Sequence, residues 1–300
     1  MITRVTQQMM NNTFMRNLEA NNRQMEKLQS QLATGKSIVL PGDDPVVAAR
    51  AMFFRSNLTE ANKYVDNASK AQLWLDTTEG ALHNSTEALH RVRELLVTAS
   101  SDATSVDARR AIAKEIEQMK EHIKEIANTS VAGRHIFAGT HVHNEPAHVG
   151  PDGKIEWVGN DGFIELEIGM NNLMTLNISG SQIFKVDDKS IFDVLDEVTT
   201  KLLDGNTPSN EISSYLSKVD DFMNNTLDYM AEIGARQNRL DFTIHRLEGL
   251  ILGLEEAKSN AEDVNAAKVI TELQMQENVY RASLSVGARI IQPSLVDFLR

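Results

Sequence analysis

The chain has 300 residues, 41% of them hydrophobic but only 5% aromatic, and a net charge of -12. Residues 1–50 hold six Lys/Arg against four Asp/Glu, and residues 260–300 hold four against five. The negative charge therefore falls almost wholly on the stretch between them, which argues against nucleic acid as a partner. With no cysteine, disulfides, thiolate metal sites and cysteine nucleophiles are excluded together.

Residues 3–33 read as a helix. Met10, Phe14, Leu18, Met25, Leu28 and Leu32 step by fours and threes, with Asn21 in the one missing place. This is a narrow packing seam, not a broad core face. Gly35 is placed to cap its end. The opening Met1-Ile2-Thr3-Arg4-Val5 lacks the apolar core of a cleaved secretory signal. The expectation is a cytoplasmic chain, or one exported with its N-terminus retained. Asp44-Pro45 reads as an N-cap followed by proline at the first helical position. From there to about Ala99 no further proline occurs, and Leu58, Ala61, Val65, Ala68, Leu75, Leu82, Leu89 and Leu96 hold one seam. Such a helix would be roughly 80 Å long. Thr104, with Asp107 three residues on, is expected to start another, carried by Ile112, Ile116, Met119, Ile123 and Ile126.

The pattern changes near Gly133. Lys154 to Val158 and Phe163 to Ile168 alternate as strands, and Gly159-Asn160-Asp161-Gly162 is expected to join them as a hairpin, with a third strand at Leu173 to Ile178. Helix returns at Ser190 and again from about Ser209 to Lys258. A last helix carries Ile270, Leu273, Tyr280, Leu284, Ile291 and Phe298 at heptad spacing, with Glu277 and Gly287 as gaps.

The predicted fold is mainly α with a small β insertion: an elongated helical bundle whose terminal helices pair as a coiled coil, with a β-rich domain at the far end. The expected domains are 1–44 with 260–300, 45–136 with 187–259, and 137–186. The twelve seam residues of the two terminal helices are the candidate assembly interface: Met10, Phe14, Leu18, Met25, Leu28, Leu32, Ile270, Leu273, Tyr280, Leu284, Ile291 and Phe298.

No catalytic, cofactor-binding or metal constellation assembles from the spacing. Gly35-Lys36-Ser37 resembles the end of a phosphate-binding loop, but Ser30 stands where its first glycine must be and no strand precedes it. His141, His143 and His148 lie close in sequence and read as solvated residues of a loop or edge strand. Asp44 is accounted for as a cap. A structural, non-enzymatic role without cofactors is the expectation.

Two distant blocks then point to a family. Leu32-Ala33-Thr34-Gly35-Lys36-Ser37-Ile38 with Asp43-Asp44-Pro45 resembles the N-terminal block of bacterial flagellins. Ile233-Gly234-Ala235-Arg236-Gln237-Asn238-Arg239-Leu240 and Asp263-Val264-Asn265-Ala266-Ala267-Lys268 resemble the C-terminal one. Three further segments resemble the hook–filament junction branch of that family: His135-Ile136-Phe137-Ala138-Gly139-Thr140, Trp157-Val158-Gly159-Asn160-Asp161-Gly162, and the end from Ile291 to Leu299.

The resemblance implies an extracellular subunit of the flagellum, exported by the type III apparatus without a cleaved signal peptide and held beforehand by an export chaperone. Its implied partners are identical copies in a ring, hook-associated protein 1 and flagellin, with no nucleic acid and no membrane insertion. A flagellin filament subunit and a cytoplasmic coiled-coil signalling protein are the alternative readings.

Overall fold

The computed structural model describes residues 7–38, 40–187, 189–204 and 207–291, with side chains from Met9 to Arg289. By contact density the chain divides into two units, Met1–Glu60 with Leu250–Arg300, and Ala61–Gly249. In chain order the helices are α1 (Gln7–Thr34), α2 (Pro45–Ala99), α3 (Val106–Ala127), a short α4 (Gly180–Phe184), α5 (Ile191–Leu203), α6 (Ser209–Glu262) and α7 (Ala266–Ile291). The strands, all between α3 and α5, are β1 (Ser130–Val131), β2 (Arg134–His135), β3 (Ala147–Val149), β4 (Ile155–Trp157), β5 (Glu165–Glu167), β6 (Leu173–Thr175), β7 (Lys185–Val186) and β8 (Lys189–Ser190).

Local chemistry sets most helix ends. Asp44 Oδ1 accepts from the amides of Val46 and Val47 at 3.0 and 3.1 Å, starting α2 at Pro45. Ser190 caps α5 in a reciprocal box with Asp193. Gly35, at φ +69°, ends α1. The expected start of α3 is off by one residue. Ser105 is the cap, accepting from the Ala108 amide, while the Thr104 hydroxyl donates back to Thr98 O at 2.7 Å.

The core of the Ala61–Gly249 unit follows the apolar seams. Leu75, Leu82, Leu89 and Leu96 of α2 are fully buried, as are Ile116 and Ile123 of α3, Ile191, Leu195, Val198 and Leu202 of α5, and Val219, Ile233 and Leu240 of α6. Polar ties fix α2 antiparallel to α6: Arg93 Nε donates to Asp220 at 2.6 Å, and Gln237 Nε2 donates to Asp76 and Glu79 at 3.0 and 2.8 Å. Lys120 bridges α3 to Asp196 of α5 at 2.5 Å.

The β segment is four separate antiparallel pairs: β1 with β2, β3 with β4, β5 with β6, and β7 with β8. The hairpin expected across Gly159–Gly162 does not form. Trp157 pairs backward with Ala147, and Glu165 pairs forward with Thr175. Residues 159–162 link the two hairpins instead, because their groups are taken up elsewhere. Asn160 Oδ1 accepts from the Thr140 amide at 2.7 Å, and Asn160 Nδ2 donates to the Thr140 hydroxyl at 2.7 Å. Asp161 accepts from Ser179 Oγ at 2.5 Å and from Ser181 Oγ. A Cβ on Gly139 would overlap the Asn160 carbonyl, and one on Gly180 would overlap the Trp157 ring. Beside this junction Phe184 meets Phe137 edge-on at 5.5 Å and Trp157 at 5.8 Å.

Leu82→Ala should lower the unfolding free energy by about 2–5 kcal/mol in denaturant titration, through the cavity it leaves. Leu284→Ala, at a half-exposed site, should cost less than ~1 kcal/mol. The hydroxyls of Ser179 and then Ser181 hold the Asp161 carboxyl below the ordinary carboxylate range. Its folded pKa is thus depressed, so the stabilisation is present above about pH 4 and is lost as pH falls through the lowered value. Asp161→Asn should lower stability at neutral pH and flatten that acid dependence, read by Trp157 fluorescence in a Trp74→Phe background.

Candidate assembly interface

In the unit formed by Met1–Glu60 and Leu250–Arg300, α1 and α7 pack side by side and run antiparallel. The ends of the pair are close in space: the Val264 amide donates to Gly35 O at 3.0 Å, and the backbones of Lys36 and Asp263 form an isolated antiparallel β-bridge. A polar layer crosses the seam further along. Gln276 Nε2 donates to Asn21 O and Oδ1 at 3.2 and 3.3 Å, and Asn21 Nδ2 donates to Ser283 Oγ at 3.4 Å. One polar layer in an apolar seam pins register, because any slip leaves its groups unpaired. Beyond it the Phe14 ring lies against Gly287, where any Cβ would overlap the ring. Glycine inside a helix costs roughly 0.5–1 kcal/mol against alanine, and this close approach accounts for it.

Glu262, the last residue of α6, anchors the base of the pair. Its side chain is 4% exposed and forms ion pairs with Arg55, with Lys36 at 3.4 Å and with Lys258 at 4.0 Å. Its carbonyl accepts from the Ser37 amide at 2.7 Å and from Ser37 Oγ at 3.1 Å. A nearly buried carboxylate is tolerable only with such partners. Glu262 thus joins the loop after α1 to α2, α6 and the turn into α7. Sequence reading missed it, since an acidic residue late in a helix carries no periodic signal.

The predicted interface residues with described side chains fall into two groups. Leu28 is 3% exposed, and Phe14, Leu18, Met25, Leu32, Leu273 and Tyr280 are half-buried on or beside the α1–α7 seam. Met10, Ile270 and Leu284 are 44–46% exposed. The side chain of Ile291 and the whole of Phe298 lie outside the described residues. The α7 row facing α1 is therefore Val269, Leu273, Gln276, Tyr280, Ser283 and Gly287. It shares Leu273 and Tyr280 with the expected row and adds two polar residues and a glycine.

Apolar surface remains exposed after α1 and α7 have paired. Met9 and Met15 of α1 and Met275, Val279 and Val286 of α7 are all strongly exposed. Met9, Met15, Leu18 and Tyr280, with Arg16 and Glu19, line an open groove of about 730 Å³. Among the described residues no group of three His, Asp or Glu side chains is placed to hold a metal ion. Nor is any helix there long and apolar enough to cross a membrane.

Comparison with known proteins decides the family. The bacterial flagellin N-terminal helical region matches residues 5–142, and the bacterial flagellin C-terminal helical region matches residues 216–299, together more than two thirds of the chain. The chain belongs to the bacterial flagellin family. Its relatives include flagellar hook-associated protein 3 of Escherichia coli, 25% identical over 93% of this chain and 94% of that protein. Flagellin of Bacillus subtilis is 26% identical over 92% of each. The fold is shared with a flagellar hook-associated protein from Vibrio parahaemolyticus, at TM-score 0.70 and 19% identity, covering 74% of this chain and 100% of that one. It is shared too with hook-associated protein 3 from Legionella pneumophila, at TM-score 0.65 and 14% identity, covering 70% and 98%.

Gly287→Ala should disrupt the α1–α7 pair, seen as faster amide hydrogen exchange in α1. Adding Phe14→Ala should restore part of the protection, which independent sites would not do. Glu262→Ala should cost about 1–3 kcal/mol in thermal unfolding, by removing a nearly buried acceptor from three cations.

Proposed function

We propose that this flagellin-family chain is a structural junction subunit of the bacterial flagellum, which adapts the hook to the flagellin filament. The observation that carries this reading is the apolar surface left on α1 and α7 after they have packed on each other. A chain that stayed alone would have little use for it. The end-to-end match to hook-associated protein 3 relatives supports the junction role. Identical copies bond sideways into a ring through the terminal helices, with hook-associated protein 1 on one side and flagellin on the other. Met10, Ile270 and Leu284 are the members of the predicted interface that face such neighbours, while Leu28 and Phe14 hold the pair that presents them.

The division into a terminal coiled-coil domain (1–44 with 260–300), a helical bundle (45–136 with 187–259) and a β domain (137–186) belongs to the same reading. So do export through the type III apparatus with the N-terminus retained, delivery by an export chaperone and an extracellular position. The role is mechanical, without catalysis or cofactor. Membership of the flagellin family favours this over a cytoplasmic signalling protein. A filament subunit is the second reading, favoured by the match to flagellin along most of both chains. Copy number in sheared flagella separates the two: a few per filament for a junction subunit, thousands for a filament subunit.

Deleting the gene should leave hooks without filaments and flagellin secreted unpolymerised. Leu284→Asp should reproduce that phenotype while leaving the melting of the Ala61–Gly249 unit unchanged. Normal filaments in either strain would contradict the assignment.

A further inference from the structure

Methionine is unevenly distributed on the surface. Among the described residues six methionines are exposed, and five of them, Met9, Met10, Met15, Met52 and Met275, belong to the unit that carries the terminal helices. The sixth is Met170, in the β segment. Met174 is buried, and Met25, Met119, Met223 and Met230 are half-buried. Four of the exposed thioethers sit on α1 and α7 themselves: Met9 is 60% exposed, Met15 58%, Met275 62% and Met10 44%.

A thioether packs like a flexible hydrocarbon, but it can be oxidised, as leucine cannot. A hydroperoxide transfers one oxygen to the sulfur. The peroxide O–O bond breaks, an S–O bond forms, sulfur loses two electrons, and the peroxide leaves as water or an alcohol. The product is polar and needs hydrogen-bond donors. In the free chain water supplies them, so the fold should tolerate the change at these exposed positions. Between packed copies no water does, and the oxygen is left unpaired in an apolar contact.

We infer that Met9, Met10 and Met15 on α1 and Met275 on α7 are separate oxidation-sensitive modification sites, at which a hydroperoxide blocks incorporation of the free subunit. The inference rests on the assembly reading above. It gives the exposed apolar rows a chemical vulnerability that ends once neighbouring copies cover them.

The test treats the purified full chain with hydrogen peroxide, maps added oxygen by peptide mass, and measures incorporation of added chain onto the filament-less hooks of cells lacking its gene. The oxidised chain should incorporate about tenfold less than the untreated chain or lower still, with unchanged melting of the Ala61–Gly249 unit. Reduction by methionine sulfoxide reductases should restore incorporation. A variant with Met9→Leu, Met10→Leu, Met15→Leu and Met275→Leu should keep incorporating after peroxide, although Met52 and Met170 are still oxidised. Normal incorporation of the oxidised chain, no recovery on reduction, or an equal loss in the leucine variant would each overturn the inference while leaving the assembly reading intact. Failure of the untreated chain to incorporate would overturn both.

Discussion

The antiparallel pairing of α1 with α7 is the interaction on which the rest of this account depends. Two helices from opposite ends of the chain meet only because the intervening residues return to their starting point. The pairing has a fixed register, set by chemistry that tolerates no slippage. The Asn21–Gln276–Ser283 layer, the Phe14 ring against Gly287, and Glu262 among three cations each specify one alignment. The polar layer adds little stability alone, whereas the nearly buried Glu262 contributes more through its three cations. Their value is positional. With the register fixed, the outer faces of both helices present the same apolar rows on every copy, as closed or helical assembly requires.

The β segment follows a different logic. Its four two-stranded pairs are too short to be stable as sheets, and they are held by side chains and glycine-tight contacts. The Gly159–Gly162 stretch matters because it lets Asn160 and Asp161 reach the backbone of Thr140 and the hydroxyls of Ser179 and Ser181. Two segments that resemble junction proteins in sequence, around Gly139 and around Asn160, are thereby in direct contact.

Much of this architecture was legible in the sequence, because long helices with a single apolar seam announce themselves by period. The seam of α2, the cap at Asp44 and the turn at Gly35 all follow from local rules. Three features were not legible. The strand pairing is not legible because a Gly-Asn-Asp-Gly run is also a hairpin signal, and only tertiary contacts decide between the two uses. The inward row of α7 takes in Gln276, Ser283 and Gly287, which carry no apolar signal until Asn21 and Phe14 are set against them. Glu262 could not be found at all, since its partners Lys36 and Arg55 lie more than two hundred residues away in the chain.

The central claim is that the rows left exposed on the paired terminal helices are covered by other copies or by the neighbouring flagellar subunits. Because the native chain has no cysteine, a single thiol is a clean probe. The decisive measurement is the maleimide labelling rate of a Leu284→Cys variant, free in solution and in intact flagella, with Phe242→Cys, at a strongly exposed α6 position, followed in parallel. The account predicts rapid labelling of Leu284→Cys in the free chain and strong protection in the flagellum. Equal labelling of Leu284→Cys in both states would contradict it.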